Sequence, residues 1–290
     1  MPESRPEQTT PALTCYRHTD RPTGIRCTRC DRPICPDCMR SASVGFQCPD
    51  CVREGQASVR RPKRTTGVRL TAARLGLVTS TLIALNVAVY LVTVVTSLPN
   101  GGGLMRNFAS PVFLDGLLQP FAVLLGGEYW RLLTSGFLHY GLLHLAMNML
   151  ALVVLGRDIE AYLGRARYLA LFLIAMLGGG VAVVLFENPA TQTVGASGGV
   201  FGLLGAAVVI LRRRKADLRP LATLIGLNVV ISFLPGISLL GHLGGALGGA
   251  LASYVLVYAP RGKTSWQVAG LAALTLGLLA LVAVRVATLG

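Results

Sequence analysis

Between Arg74 and Arg106 the chain carries no charged residue, and intervals of this kind recur down the sequence. Residues 132–156, 168–186, 196–211, 220–260 and 264–284 are likewise free of Asp, Glu, Lys and Arg. A helix needs about 20 apolar residues to cross the hydrocarbon core of a bilayer, where every backbone polar group must be satisfied within the segment. Runs of this length exclude an ordinary soluble domain. They predict seven transmembrane helices, over about 75–98, 132–156, 168–186, 196–211, 220–234, 241–259 and 264–285, with Pro235-Gly236 turning the chain inside 220–260. The expected fold class is an all-α polytopic membrane protein. Residues 112–125, "VFLDGLLQPFAVLL", are too short to span and hold Asp115 and Pro120. They are expected to form an interfacial or re-entrant element.

The charges between the runs predict an orientation. Arg60, Arg61, Lys63, Arg64, Arg69 and Arg74 precede the first helix. Alternate loops hold Arg157, Arg165 and Arg167, then Arg212 to Lys215 and Arg219, then Arg261 and Lys263. The loops around Glu187 and Pro235 hold no Lys or Arg, and the first such loop holds Arg106 alone. By the positive-inside rule the N-terminus is cytoplasmic and the C-terminus outside, in a plasma or inner membrane. The net charge of +14 is thereby assigned to helix orientation and anionic lipid rather than to nucleic acid.

Residues 1–74 have a different character: polar, basic, and with all seven cysteines between positions 15 and 51. The first residues, "MPESRPEQTT", have no apolar core of a secretory signal. The spacing reads C-x2-H, C-x2-C, C-x2-C, C-x2-C: Cys15 and His18, Cys27 and Cys30, Cys35 and Cys38, Cys48 and Cys51. That supplies eight ligands for two tetrahedral Zn²⁺ ions and accounts for the odd cysteine count. Thiolate ligands agree with a cytoplasmic N-terminus. The expected organisation is a disordered tail over 1–14, a double zinc finger over 15–52 and a basic linker over 53–74. A catalytic core over 75–260 and an additional seventh helix over 264–285 follow.

In so apolar a body each polar residue is informative. His144 and Asn148 lie one turn apart on the second span, Ser197 opens the fourth and His242 the sixth. All three helices run from outside to inside, so these groups are expected at similar depth near the outer surface. Serine is a weak nucleophile until a base takes its proton. The expected chemistry is therefore acyl transfer by a Ser197–His242 dyad, with no metal or other cofactor in the reaction. His144, Asn148 and the Ser197 N–H would be donors to the oxyanion. The segment "TVGASGGVFGLLG" also matches a nucleophile elbow, which needs a strand that this chain lacks. Ser197 as a small packing residue is the plainer alternative. A transporter would need a polar path through the inner halves of the spans, which are apolar.

Four segments carry a resemblance to the rhomboid intramembrane serine proteases: "WR" at Trp130-Arg131, "HYGLLHLAMN" with His139, His144 and Asn148, "GASGG" from Gly195, and "GHLGGALGG" from Gly241. The resemblance covers roughly residues 76–260. It implies a six-helix core, extended here by the seventh helix. It implies Ser197 as nucleophile, His242 as base, and His144 and Asn148 in the oxyanion hole. It also implies that the Phe201 ring packs on the base, where relatives often have tyrosine. Gly245 and Gly249 are expected to let helix six approach helix four. His139 is expected in a structural hydrogen bond, and Trp130 and Arg131 as braces of the outside loop. The substrates implied are transmembrane proteins cut near the outer leaflet. A catalytically inactive family member that binds membrane helices is the alternative function. The cysteine spacing resembles a B-box-type zinc finger. That implies one zinc on Cys15, His18, Cys35 and Cys38 and another on Cys27, Cys30, Cys48 and Cys51, sequential pairing being the alternative. A protein partner is the expected ligand of the finger.

Overall fold

The structure, a computed structural model, describes residues 13–58, 75–233, 236–260 and 262–288. The chain divides into two compact units, one within residues 1–69 and one within 70–290. Of the expected tail over 1–14, residues 1–12 lie outside the described residues, as do most of the basic linker, Pro235 and Arg261, while Leu13 and Thr14 are held by the Thr23 N–H and a bridge to Pro22.

The first unit contains a hairpin of β1 (Arg40–Ser41) and β2 (Phe46–Gln47), followed by helix α1 (Pro49–Ser58). Its buried core consists of Ile34 and six of the cysteines, with Tyr16, Cys30 and Met39 packed alongside. So little apolar surface does not hold a domain together unaided. Helix α1 runs to Ser58, past the expected domain boundary at residue 52.

The second unit is helical throughout. Its elements are α2 (Leu77–Ser97), α3 (Pro111–Gly116), α4 (Pro120–Leu124), α5 (Arg131–Thr134), α6 (Gly141–Ala151), α7 (Arg157–Leu163), α8 (Arg165–Phe186), α9 (Ser197–Arg213), α10 (Arg219–Ile231), α11 (Leu239–Tyr258) and α12 (Thr264–Ala287). A π-helical turn, Leu152–Gly156, joins α6 and α7 into one rod from Gly141 to Leu163. Among the described residues five helices are long and apolar enough to cross a membrane: α2, the α6–α7 rod, α8, α11 and α12. Helices α9 and α10, at 17 and 13 residues, are shorter. This is an all-α polytopic membrane protein.

The second span begins later than expected, at Gly141 rather than residue 132. The intervening residues form α5 and a 3-10 turn, Ser135–Phe137, and then turn through extended Tyr140 into Gly141, whose φ is +72°. Ser135-Gly136 and Gly141 interrupt the run, although no charge does. At its far end the rod continues to Leu163, because Arg157 and Asp158 end the apolar run without ending the helix. The expected non-spanning element of residues 112–125 consists of two short helices, α3 and α4, with Ser110 capping α3 by accepting the Phe113 N–H at 3.2 Å.

Helix α8 is apolar all round and is the most deeply buried span, while α12 is the least buried. Around α8 the helices meet through glycine. A Cβ on Gly245 or Gly249 of α11 would collide with the backbone of Gly198 or Gly202 on α9. A Cβ on Gly178 or Gly179 of α8 would fall 2.8 or 2.7 Å from the carbonyl oxygens of Gly244 and Gly241. The seam is backbone against backbone. Gly249→Ala is therefore expected to destabilise the fold by about 1–3 kcal/mol, the usual cost of overpacking. Gly277→Ala, with nothing within 4 Å of the new methyl, is expected to be neutral or stabilising by up to about 1 kcal/mol. Thermal unfolding in detergent of the two variants checks the opposite signs.

Polar side chains brace the rest. The Glu160 carboxylate on α7 accepts the N–H groups of Val78 and Thr79 at 3.0 and 2.8 Å, and the Thr79 hydroxyl at 2.7 Å. It thereby caps the N-terminus of α2. Asn86, buried on α2, donates from its Nδ2 to Leu82 O of its own helix at 2.7 Å. Asn107, in the first loop, donates to Thr93 Oγ1 and His139 O and accepts the Gly141 N–H, tying α2, the loop and α6 together.

Candidate active site

The chain enters α9 along a strand-like segment anchored on both sides. Leu118 and Thr193 exchange backbone hydrogen bonds of 3.0 and 2.9 Å, and the Gly195 N–H donates to Ser135 O at 2.9 Å. Gly195 has φ +125° and a Cβ there would lie 2.8 Å from the His144 ring, so both the turn and the packing require glycine. Ser197 then becomes the first residue of α9, whose N-terminus no side chain caps.

His242 lies in the first turn of α11. Ser238 caps that helix by accepting the Gly241 N–H at 2.8 Å, and its hydroxyl donates to the Glu187 carboxylate. The glycine seam then brings the two helices close enough for the His242 Nε2 to stand 2.9 Å from Ser197 Oγ. The Phe201 ring, one turn after Ser197, stacks on the His242 ring with centroids 3.9 Å apart and planes 13° from parallel. The other imidazole nitrogen, Nδ1, is 2.6 Å from Ser232 Oγ at the end of α10. His242 is 6% exposed, so the ring is buried among these partners.

His144 and Asn148 share a face of α6. The Tyr140 N–H donates to His144 Nδ1 at 3.3 Å, which leaves the proton of a neutral imidazole on Nε2, beside Gly195. Asn148 spends one Nδ2 hydrogen on His144 O at 3.0 Å and keeps the other. His139 is fully buried; its Nε2 accepts the Ala196 N–H at 3.5 Å, and its ring lies edge-on to His144 at 5.0 Å. Trp130 and Arg131 lie away from these groups. Trp130 Nε1 donates to Asp115 O at 3.2 Å, and Arg131 donates to the carbonyls of Leu114 and Leu117 at 2.7 and 2.8 Å, pinning the end of α3.

Ser232, Ser238, Glu187 and Asn107 support this arrangement and were not singled out from the sequence. Ser232 was findable. It closes the helix that delivers the chain to His242, so it stands at the same level as Ser197.

The eight cysteine and histidine positions of the head gather into two clusters, Cys15, His18, Cys35, Cys38 and Cys27, Cys30, Cys48, Cys51, each with its ligand atoms within 4.8 Å of one another. This is the interleaved grouping. His18 Nδ1 lies 3.9, 3.3 and 3.5 Å from the sulfurs of Cys15, Cys35 and Cys38. Cys30 and Cys48 sulfurs are 3.7 Å apart, and all seven cysteines are free. A tetrahedron with metal–sulfur and metal–nitrogen bonds of about 2.3 and 2.1 Å has edges of about 3.6–3.8 Å, which these separations fit. Burial opposes ionisation of Cys15 and Cys27, yet backbone N–H donors hold both down at about 6. Burial and the hydrogen bonds their S–H groups donate to neighbouring cysteine sulfurs push Cys38 up to about 11 and Cys51 to about 12. Each cluster thus favours some thiolates and resists a full set, the balance that a divalent cation would shift.

Comparison with known proteins bears on residues 126–259, which match the family model described as Rhomboid domain. RHOMBOID-like protein 5 of Arabidopsis thaliana is 37% identical over 143 residues, 47% of this chain and 46% of that protein. Rhomboid protease GluP of Bacillus subtilis (strain 168) is 40% identical over 136 residues, 45% of this chain and 26% of that protein. Rhomboid protease AarA of Providencia stuartii is 30% identical over 212 residues, 63% of this chain and 73% of that protein. Against the first of these relatives the chain spans about half their length or less. With the match to AarA extending over most of that protein and the domain match running from the loop before α5 to the end of α11, this chain belongs to the rhomboid family.

Proposed function

We propose that the protein is an intramembrane serine endopeptidase that cuts transmembrane proteins in or beside a membrane helix, near the outer leaflet. The observation that supports this most is the 2.9 Å approach of His242 Nε2 to Ser197 Oγ, in a family whose relatives include two named rhomboid proteases. In this reading Ser197 Oγ attacks the scissile carbonyl carbon while His242 Nε2 takes the hydroxyl proton. The carbonyl oxygen becomes an oxyanion. The resulting imidazolium gives its proton to the leaving amine as the C–N bond breaks, and an ester on Ser197 remains. Water then attacks the ester with His242 again as base. The Phe201 ring keeps the imidazole plane fixed through both transfers. The expected test is labelling of the wild type by a serine-directed fluorophosphonate, lost in Ser197→Ala; an unlabelled wild type overturns the reading.

His144 Nε2–H, the free Asn148 hydrogen and the Ser197 N–H are the proposed oxyanion donors. Removing such a donor costs roughly 10²–10³ in turnover. An interhelical hydrogen bond in a membrane is worth only about 0.6 kcal/mol on average. Asn148→Ala is therefore expected to lower kcat by about 100-fold or more with little change in KM or unfolding temperature. His144→Ala should follow, less severely. Loss of activity only in proportion to lost folded protein, measured by size exclusion beside the cleavage assay, counts against the assignment.

The head is proposed to hold two structural Zn²⁺ ions, one on each cluster, and to bind a protein partner. Zinc there would lock the fold and take no part in peptide cleavage. The proposed orientation puts the N-terminus in the cytoplasm and the C-terminus outside.

A further inference from the structure

Ser232 closes α10 and is 2% exposed. Its Oγ has two polar neighbours, Asn228 O at 2.8 Å and His242 Nδ1 at 2.6 Å. A serine hydroxyl has one hydrogen to give and two lone pairs to accept with. Asn228 O, a carbonyl, can only accept. When the Ser232 hydrogen goes to Asn228 O, the contact with His242 is made by a hydrogen on Nδ1. A neutral imidazole carries a single N–H, so Nε2 is then bare and aims its lone pair at Ser197 Oγ, 2.9 Å away. The opposite arrangement would have Ser232 donate to Nδ1. It would put the hydrogen on Nε2, facing the very oxygen whose proton has to be taken, and leave the Asn228 O contact without one.

We infer that Ser232 is a positioning residue that selects the His242 tautomer, accepting from Nδ1–H so that Nε2 is free to act as the base toward Ser197. This rests on the proposed serine-protease reading and extends it. Among the described residues no carboxylate is hydrogen-bonded to His242, so the third position of the relay is filled by a neutral hydroxyl whose own proton is anchored on backbone. The residue acts through His242 and touches no substrate.

Two measurements test this. The first is the ¹⁵N spectrum of histidine-labelled protein in detergent at neutral pH. The chain has only four histidines, so the His242 signals are assigned by their loss in His242→Ala. The expected wild-type pattern is protonated Nδ1 and bare Nε2, unchanged in Ser197→Ala. Ser232→Val is expected to populate the Nε2–H form, and Ser232→Thr, which has the shape of valine with a hydroxyl, to keep the wild-type pattern. A wild-type His242 protonated on Nε2 overturns the inference, whether or not the variants fold. The second is cleavage of a transmembrane substrate. A wrong tautomer in a serine–histidine site costs up to about 10⁴ in turnover. For a neutral acceptor we expect Ser232→Val to lower kcat by about 10- to 100-fold with KM little changed, and Ser232→Thr to restore most of it. Equal losses in the threonine and valine variants assign Ser232 to packing and overturn its tautomer role. Activity that survives in Ser197→Ala overturns the protease reading instead, and the nitrogen spectrum still decides the hydrogen bond.

Discussion

Alanine at Ser197 or at His242 is expected to reduce cleavage of a transmembrane substrate by at least about 10⁴-fold, with the protein still folded. Serine and histidine act as one unit: without the base the hydroxyl is a poor nucleophile, and without the hydroxyl the base has nothing to activate. Loss of either from a comparable soluble site costs on the order of 10⁶ in turnover, about as much as losing both. The Ser197→Ala, His242→Ala and double variants should therefore fall to the same floor rather than multiply their losses. The two groups meet at 2.9 Å across the glycine seam, and neither is needed to hold that seam, which is backbone on backbone. Thermal unfolding should accordingly stay close to wild type in Ser197→Ala, and fall somewhat in His242→Ala, which removes a buried ring stacked on Phe201. A Ser197→Ala protein that cuts at the wild-type rate would refute the nucleophile assignment.

Stripping the metal is expected to unfold the head outright. Structural zinc in small fingers contributes an apparent binding free energy of about 10–16 kcal/mol at neutral pH, because ligands and fold form together. Here the buried core is largely the ligand set itself, with Ile34 beside it. Elemental analysis of the purified chain should give two zinc ions per molecule. Replacing Cys27 and Cys30 should release the ion held with Cys48 and Cys51, and deletion of residues 15–51 should release both. A strong chelator should abolish the dispersed amide spectrum of the head. In the proposed orientation cleavage, on the other side of the membrane, should persist. A metal-free head with mapped disulfides would overturn both the zinc proposal and the cytoplasmic assignment of the N-terminus.

The helices were legible because lipid leaves so few alternatives: each of the long apolar runs of the membrane unit contains a helix. Their ends were less legible. The absence of charge set the expected start of the second span at residue 132, yet Ser135-Gly136 and Gly141 delay it to Gly141. Charge at Arg157 and Asp158 ended the apolar run but not the helix. The polar residues on spans entering from one side pick out Ser197, His242 and His144. That survey passes over Ser232, whose helix runs the other way and only arrives at that level at its C-cap. Ser238 and Glu187 look like ordinary loop residues until the fold puts the cap of α11 beside the end of α8. For the cysteines, spacing gave the pairs, the B-box resemblance implied which pair joins which, and the clusters in the fold have that grouping.

Glu160 has a consequence for how the protein is made. The N–H groups of Val78 and Thr79 find their acceptor in a carboxylate 82 and 81 residues further along the chain. At about 5–20 residues per second of synthesis, roughly 4–16 s separate the emergence of α2 from that of its cap. During that interval the N–H groups of Val78 and Thr79 are without the carboxylate that accepts them in the folded protein. Insertion of the second rod then delivers the carboxylate and completes the first helix. Assembly of the membrane unit is in this sense ordered by the ribosome. The first span is a provisional element until the second arrives, and a ribosome stalled between residues 97 and 160 would present the membrane with a helix that has no partner for its own beginning.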